Sequence, residues 1–336
     1  MANQELVSKI FKIYPFLILS FFLVFIFAHT IYSIFYPVFI GENKIIIIQP
    51  KSKSWNIGQN LEKESIIRSS FYFKLLTILK KSNIKAGIYE FNGFYNLLDV
   101  IKTLEKGGRG IRITITEGMT LKEIEKMFQD KGFKVNFSKF TIKDFDNIDL
   151  KKYFKEDIGL EGFLAPDTYE FLPTDDEKSI VSEILKNFSN KYMPELLKGI
   201  DLSLYERLIL ASIVEKEAKF KEDFPVIAGV LLKRLKNNQR LEVDATLVYE
   251  KCNFVFCQEA LTRRDLITIS DYNTYKKNGL PPTPISNPGI LAINSVNNPI
   301  ISNYLFYLTD KNGKAIFAKN LEEHNKNIKK FLRNNE

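Results

Sequence analysis

The residues best suited to do chemistry are two glutamates at the end of one apolar segment. Residues 204–219 read LYERLILASIVEKEAK, and almost every position from Leu208 to Val214 is apolar, which is typical of a buried core helix. Glu215 and Glu217 follow that run. Two residues apart on a helix, their side chains lie about 200° apart around the axis, so they cannot form a facing pair. Only one of them can be the chemical group.

A carboxyl group at the end of a buried helix loses solvation. Burial disfavours the charged form, and it raises the pKa towards the range in which the group can donate and then recover a proton. Cleavage of a glycosidic bond needs such a group. An ordinary glycosidase also needs a second carboxylate on another element, whereas a lytic transglycosylase needs only one acid, because the sugar's own 6-hydroxyl attacks. Considered alone, a glutamate near a helix end is more often structural.

Two further stretches have compositions suited to holding a sugar polymer. Residues 161–171, EGFLAPDTYEF, combine aromatic side chains with Asp167, although a buried hairpin corner would share this composition. Residues 279–289, GLPPTPISNPG, hold four of the twelve prolines and follow a segment rich in tyrosine and asparagine. Fixed proline φ angles make such a loop stiff, and although an interdomain linker would share the prolines, the aromatic flank favours the wall of a glycan groove.

Composition excludes some classes of protein. Two cysteines and two histidines cannot build a four-ligand zinc site or an iron–sulfur cluster unaided, so we expect no metal and no cofactor. The net charge of +8 is spread thinly along the chain, which indicates an anionic neighbour without distinguishing nucleic acid, acidic lipid and cell-wall polymer. Any catalysis must come from carboxylates, hydroxyls or amides.

An apolar segment near the N-terminus predicts a membrane anchor. Residues 13–41 contain no Asp, Glu, Lys or Arg. As a helix the segment would extend about 43 Å, more than a hydrocarbon layer of about 30 Å. It lacks the short apolar core and cleavage site of a signal peptide, so we expect an uncleaved anchor at 14–40 after a cytoplasmic tail at 1–13. Lys9 and Lys12 precede the segment and place the rest of the chain outside the cytoplasm.

Beyond the anchor, strand and helix patterns alternate, which predicts an α+β fold. Thr120 with Glu123 three residues later is a capping-box pattern that opens a helix. Residues 47–66 and 115–132 each read as strand, polar turn and helix, and they resemble LysM modules, which bind cell-wall glycans; two unrelated units are an equal alternative. We expect strands at 44–49, 87–91 and 111–116 and helices at 55–62, 71–80, 95–105, 120–129 and 204–219.

Cys252 and Cys257 lie in the segment CNFVFC. In a domain exported to an oxidising compartment they could form a small disulfide loop, and two buried free thiols are an equal alternative. The C-x4-C spacing differs from a redox C-x-x-C motif.

Seven motifs together indicate a family. They are EGFLAPDTYEF at 161–171, ASIVEKEA at 211–218, DATLVYE at 244–250, LTRRDL at 261–266, YNTYKKNGLPPTPISNPG at 272–289, YLFYLTD at 304–310 and FAKNLEEHN at 317–325. Their order and spacing resemble those of the endolytic murein transglycosylases, the MltG or YceG-like family. The resemblance implies a single-pass bacterial inner-membrane protein whose periplasmic domain cleaves nascent peptidoglycan strands at the MurNAc–GlcNAc bond, leaves 1,6-anhydroMurNAc ends and so terminates strand elongation. The second glutamate of EKE, Glu217, matches the family's catalytic acid.

The resemblance also implies a domain organisation along the chain. It suggests a LysM-like glycan-binding region at 41–135 and a mixed α/β catalytic domain at 136–336, separated near the polar passage 134–154. Expected partners are peptidoglycan glycan strands and cell-wall synthases of the penicillin-binding class, without nucleic acid. The expected substrate-binding residues are Asp167, Tyr169, Asp244, Thr246, Tyr272, Asn273, Tyr275 and Asn287.

The chain departs from the family pattern at several positions. Residues 241–246 read LEVDAT where relatives read LQxDPT, which keeps Asp244 and Thr246, and Thr283 stands where a glycine is usual. His324 could be a second acid–base group, although a structural hydrogen bond is the simpler interpretation. A second hypothesis remains, in which the chain is a non-catalytic, membrane-tethered scaffold that binds peptidoglycan. The intact EKE and proline loop favour the enzyme.

Overall fold

The computed structural model describes residues 2–49, 52–155, 157–199 and 202–333. The chain forms two compact units, of which the first is Met1–Ile111 with Leu172–Thr174 and the second is Arg112–Phe171 with Asp175–Glu336. Helices and strands are mixed throughout, so the predicted α+β class and the N-terminal apolar helix are confirmed.

The helices and strands follow the predicted order. The α-helices are α1 (Ala2–Phe35), α2 (Ser54–Lys63), α3 (Ser70–Leu79), α4 (Leu97–Lys106), α5 (Leu121–Asp130), α6 (Glu177–Asn187), α7 (Met193–Leu196), α8 (Leu204–Glu217), α9 (Asp223–Lys236), α10 (Asp244–Lys251), α11 (Arg263–Ile267), α12 (Ile290–Asn297) and α13 (Leu321–Ile328). The strands are β1 (Val38–Ile48), β2 (Gly87–Tyr95), β3 (Ile111–Ile115), β4 (Asp167–Phe171), β5 (Phe306–Thr309) and β6 (Ala315–Ala318).

Helix α1 ends earlier than the predicted anchor. Residues 18–35 have a mean hydropathy of 2.2, so this part of α1 is long and apolar enough to cross a membrane. The helix ends at Phe35 because Pro37 cannot continue it, and β1 begins at Val38. Residues 36–40, expected at the end of the anchor, therefore lie outside the helix.

The first unit is built on an antiparallel hairpin. Strand β1 pairs with β2 in a register that runs from Val38 opposite Tyr95 to Ile48 opposite Gly87. Helices α2 and α3 connect the two strands, and α4 follows them. Phe73 and Phe91 are fully buried in the shared core, where they remove large apolar surfaces from water.

The second unit is centred on α8. Its residues from Leu208 to Val214 are all buried, as the all-round apolar pattern predicts, and helices α9, α10 and α12 pack against it. The capping box of Thr120 and Glu123 at the start of α5 is confirmed. The passage 134–154 also belongs to this unit: it forms three short 3₁₀ turns whose apolar side chains, including Phe137 and Phe145, are buried.

Candidate active site

Helix α8 carries its two glutamates to two separate cavities of the second unit. Glu217 lines a polar cavity of about 730 Å³, and Glu215 lines another of about 540 Å³. Both cavities are within the size range of ordinary ligand sites. The helical spacing had predicted this separation, so the two carboxyl groups serve different environments.

Glu217 has the electrostatics of a general acid. Its side chain is largely withdrawn from water at the C-terminal end of α8, and this burial raises the pKa of Glu217 to about 7. The nearby negative charge of Asp244 also raises it, whereas the hydroxyl of Tyr307, which donates to Oε2 of Glu217 at 3.0 Å, and the amide of Ala245 lower it. A carboxyl group with this pKa can both give and take a proton near neutral pH.

Asp244 and Tyr275, both expected in the site, line the same cavity as Glu217. The Tyr275 hydroxyl donates to Oδ1 of Asp244 at 2.6 Å, which fixes the carboxylate at the start of α10. The cavity therefore holds a second carboxylate on a different element from the first.

Arg234 holds the wall of this cavity together. Its guanidinium donates to the carbonyl oxygens of Leu305 at 2.8 Å and Leu241 at 2.8 Å, and it pairs with the carboxylate of Glu242 at 3.1 Å. Glu242 has a left-handed backbone with a φ of 53°, and its amide donates to the carbonyl of Thr274. These contacts shape the turn that precedes α10.

His324 also lines the cavity of Glu217. Its ring stacks on Phe306 with a centroid separation of 5.3 Å, and burial lowers its pKa. Its Nδ1 is buried and has no hydrogen-bond partner among the described residues. His324 therefore has a packing role through this stacking contact, and it brings the motif EEHN to the cavity.

The cavity around Glu215 is separate from that of Glu217 and has a mixed polar and apolar lining. The Gly289 amide donates to Oε2 of Glu215 at 2.9 Å, and burial followed by the charge of Glu117 raises the pKa of Glu215. Asp167, expected to bind substrate with Glu217, lines this other cavity instead and pairs with Lys191 at 3.0 Å. The structure therefore does not bring Asp167 and Glu217 together in one cavity.

Several expected substrate-binding residues are buried and already hydrogen-bonded. The Thr246 hydroxyl donates to the Val243 carbonyl at 2.9 Å, and Tyr169 donates to the Ala165 carbonyl at 2.7 Å. The Asn273 amide group donates to the Thr268 carbonyl at 2.6 Å. Residues 162–166 are buried, as the alternative interpretation expected, but β4 pairs with the distant β3, so they do not form the corner of a hairpin.

Asn287 and Tyr272 occupy positions in the packing of loops. Asn287 is fully buried, its Oδ1 accepts from the Leu164 amide at 2.8 Å, and its side-chain amide donates to the Met119 carbonyl at 3.0 Å. Tyr272 hydrogen-bonds to Thr283 at 2.7 Å and packs against Tyr249.

Sequence reasoning missed Glu161 as a structural hub. Its carboxylate accepts from the Leu121 amide at 3.0 Å, from Tyr249 at 2.8 Å and from Asn287 at 3.2 Å, and burial raises its pKa to about 7. It also missed Tyr307, which lay inside the motif YLFYLTD but had no assigned role. The motif can be recognised in the sequence, but the contact of Tyr307 with Glu217, 90 positions away, cannot be predicted from it.

The two cysteines form a disulfide. Cys252 and Cys257 are joined across a Cα–Cα distance of 6.0 Å in the loop after α10. The loop carries Phe254 and Phe256, which pack against Tyr249. Of the two alternatives from sequence, the bridge is the one found.

Comparison with known proteins gives a consistent answer. The sequence model of the YceG-like family matches residues 46–330. The chain is 32% identical over 297 residues to the endolytic murein transglycosylase of Bacillus subtilis strain 168, which covers 82% of this chain and 81% of that protein. It is 30% identical over 308 residues to the endolytic murein transglycosylase of Streptococcus pneumoniae strain D39, which covers 81% of this chain and 55% of the relative.

A solved structure agrees with these sequence matches. The crystal structure of a YceG-like protein from Listeria monocytogenes superimposes with a TM-score of 0.55 at 32% sequence identity. The match covers 85% of this chain and 98% of that one. The chain whose cavity holds Glu217, Asp244 and Tyr275 thus belongs to the YceG-like family.

Proposed function

We propose that this protein is a lytic transglycosylase that cuts peptidoglycan strands internally, with Glu217 as its single acid–base group. The relatives named endolytic murein transglycosylases support the reaction class. The observation that carries the proposal is the buried carboxyl group of Glu217, with a pKa of about 7, facing a polar cavity large enough for sugar units.

In the proposed reaction, Glu217 first donates its proton to the oxygen of the bond between N-acetylmuramic acid and N-acetylglucosamine. The bond from C1 to that oxygen breaks, and positive charge develops at C1. The 6-hydroxyl of the same muramic acid attacks C1, and the Glu217 carboxylate takes the hydroxyl proton. The product end is 1,6-anhydro-N-acetylmuramic acid, and the acid is restored for the next cycle.

Asp244 supports this reaction electrostatically. Its carboxylate lies near Glu217, where it favours the protonated acid before cleavage. The same negative charge would stabilise the positive charge that develops at C1. Tyr275 holds Asp244 in place, while the buried Thr246 and Asn273 position the elements that carry Asp244 and Tyr275.

The remaining assignments concern the whole chain. We propose that α1 anchors it once in the cytoplasmic membrane, that the chain following α1 lies on the outer side, and that residues 41–135 bind glycan as a LysM-like region. The strand–helix–helix–strand order of the first unit supports the last point. Cell-wall synthases are the proposed partners.

Analysis of the digestion products tests the reaction. Purified full-length protein is incubated with uncross-linked glycan strands in heavy-oxygen water, and the new ends are examined by mass spectrometry. Anhydro ends, lighter by one water than hydrolysed ends and free of label, are expected. Labelled ends would identify water as the nucleophile and make the enzyme a hydrolase, in which case Asp244 rather than Asp167 is placed to activate the water. No cleavage at all would favour the scaffold.

A further inference from the structure

Helix α3 of the first unit exposes an apolar stripe. Phe71, Leu75, Ile78 and Leu79 are respectively 60%, 40%, 60% and 69% exposed, and they recur at helical spacing along one side. The opposite side of α3 buries Phe73 against the core of the unit. Four large apolar side chains on one exposed face call for a partner, because isolated exposed apolar residues are common but contiguous apolar patches are not.

The position of this stripe relative to α1 points to the partner. The Tyr72 hydroxyl of α3 hydrogen-bonds to Thr30 of α1 at 2.9 Å and approaches the His29 ring nitrogen at 3.4 Å. Thr30 lies within the apolar span and five residues before the end of α1, which is about 8 Å along the axis. The start of α3 is therefore level with the anchor's last turns, where an anchored chain leaves the hydrocarbon layer.

The side chains around this contact fit the boundary between lipid and water. Arg68, just before α3, donates to the carbonyl of Pro37 at 2.8 Å and lies over the ring of Tyr32 at 4.5 Å. Aromatic rings and basic side chains are enriched at this depth of a bilayer. Residues 65–89 contain no Asp or Glu, and their basic residues are Arg68, Lys74, Lys80, Lys81 and Lys85.

We propose that α3 is a second membrane contact, lying in the lipid interface beside the anchor with its apolar stripe among the acyl chains. The partner is the lipid surface itself, because α3 contacts the membrane-spanning helix through Tyr72 and residues 65–89 carry only basic charges, which suit anionic headgroups. Such a contact holds the first unit against the membrane at two places instead of one, and it restricts how far this unit can tilt on the anchor. The inference rests on the proposed spanning role of α1.

Fluorescence quenching by brominated lipids tests this contact in the full-length protein. Trp55 is the sole tryptophan of the chain, so a Trp55→Phe background allows one tryptophan to be placed at a chosen depth. Leu79→Trp reports on the end of α3 farthest from Tyr72, where proximity to α1 alone would not bring it into lipid. The protein is reconstituted in vesicles that contain phosphatidylglycerol and phospholipid brominated either near the glycerol or near the chain end.

Two matched variants give the reference levels. Phe25→Trp lies inside the span of α1, and Gln59→Trp lies on the exposed polar side of α2 in the same unit. We expect quenching at residue 79 comparable with that at residue 25, stronger with the shallow bromine than the deep one, and little quenching at residue 59. Circular dichroism of each variant verifies folding.

The outcomes separate this proposal from the anchor. Quenching at residue 25 without quenching at residue 79 overturns the α3 contact and leaves the anchor in place. Absence of quenching at residues 25 and 79 overturns both the α3 contact and the membrane anchor. A tryptophan at residue 79 that is shielded from bromine, and whose emission changes with the protein-to-lipid ratio, shows that a second copy covers the stripe, and this also overturns the lipid contact.

Discussion

At the scale of single residues, Glu217 combines burial of its carboxyl group with access to a cavity, two properties that rarely occur together. It is withdrawn from water, which keeps its proton on near neutral pH, yet it lines a cavity that a polymer can enter. Glu215, two positions earlier, has a raised pKa for the same first reason, burial, but its carboxylate is engaged by the Gly289 amide in a different cavity. The cavity that each carboxyl group lines and its hydrogen-bond partner, rather than burial, distinguish the two.

Replacement of Glu217 by Gln should abolish most turnover without unfolding the protein. The amide keeps the shape of the side chain but has no proton to donate, so a loss of roughly 10²- to 10⁴-fold in rate is expected. Release of anhydro ends from glycan strands measures it, and a thermal melt verifies folding.

The matched control for this variant is Glu215→Gln on the same helix end. Its loss of activity should be much smaller, since Glu215 faces the other cavity. Equal losses in both variants would contradict the assignment of a single acid.

Replacement of Tyr307 by Phe should move the alkaline limb of the pH–rate profile to higher pH. The Tyr307 hydroxyl donates to the Glu217 carboxylate and so stabilises its charged form; without it the pKa of Glu217 rises further above about 7. The acid then stays protonated to a higher pH, by about one to two pH units for the loss of one hydrogen bond to a charged group.

The pH dependence of the cleavage rate measures this shift. Tyr304→Phe serves as the control, because Tyr304 packs on Phe317, whereas the hydroxyl that donates to Glu217 is that of Tyr307. An unchanged or lowered limb in Tyr307→Phe would show that another group sets the pH dependence.

At the scale of elements, the site depends on how two loops dock on α8. The Ser212 hydroxyl accepts from the Ile285 amide at 3.0 Å, and the Ser286 hydroxyl donates to the Ser212 carbonyl at 3.1 Å, so the proline loop is fastened to the middle of the helix. The loop at 161–165 is tied to the proline loop, because the Leu164 amide donates to Oδ1 of Asn287 at 2.8 Å. The stiff proline loop, interpreted from sequence as a groove wall, is in large part a brace for the core helix.

Replacement of Gly162 by Ala should destabilise this brace. Gly162 has a φ of 88°, and an added Cβ would lie 2.7 Å from the side chain of Pro284. The left-handed backbone alone costs about 1–2 kcal/mol for an L-residue, and the clash with a rigid ring adds to it. Chemical denaturation of the variant should show at least that loss in the free energy of unfolding.

Two other glycines separate the cost of the left-handed backbone from the cost of the clash with Pro284. Gly279 has a φ of 90° and open space around its Cβ position, so Gly279→Ala carries the backbone cost alone. Gly159 has neither constraint, and Gly159→Ala should be close to neutral. A Gly162→Ala variant as stable as Gly279→Ala would show that the loop moves freely away from Pro284.

The sequence predicted the elements better than their contacts. Periodicity and caps are local, so α8 and the capping box of α5 were found within a residue or two of their ends. Which cavity an aspartate enters depends on packing over long separations. Asp244 joins Glu217 because α10 packs against α8, whereas Asp167, on β4, faces the cavity of Glu215. Composition alone treated the two aspartates alike.

At the scale of the whole molecule, two features are consistent with the proposed export of the second unit. Helix α1 can cross a membrane once, and the second unit carries the disulfide of Cys252 and Cys257. Disulfides persist outside the reducing cytoplasm, so an anchored chain with its second unit exported satisfies both observations. The substrate of the proposed reaction lies on that side of the membrane as well.

A reporter fusion tests this topology directly. Alkaline phosphatase fused after Glu336 should be active, because it folds only where its own disulfides can form, while a green fluorescent protein of the cytoplasm-restricted type fused at the same place should stay dark. Removal of residues 2–41 from the fusion should abolish phosphatase activity. It should also leave Cys252 and Cys257 as free thiols that an alkylating reagent modifies in intact cells. Full activity of the fluorescent fusion in the complete chain would place the second unit in the cytoplasm, away from peptidoglycan, and would remove the basis for the proposed substrate.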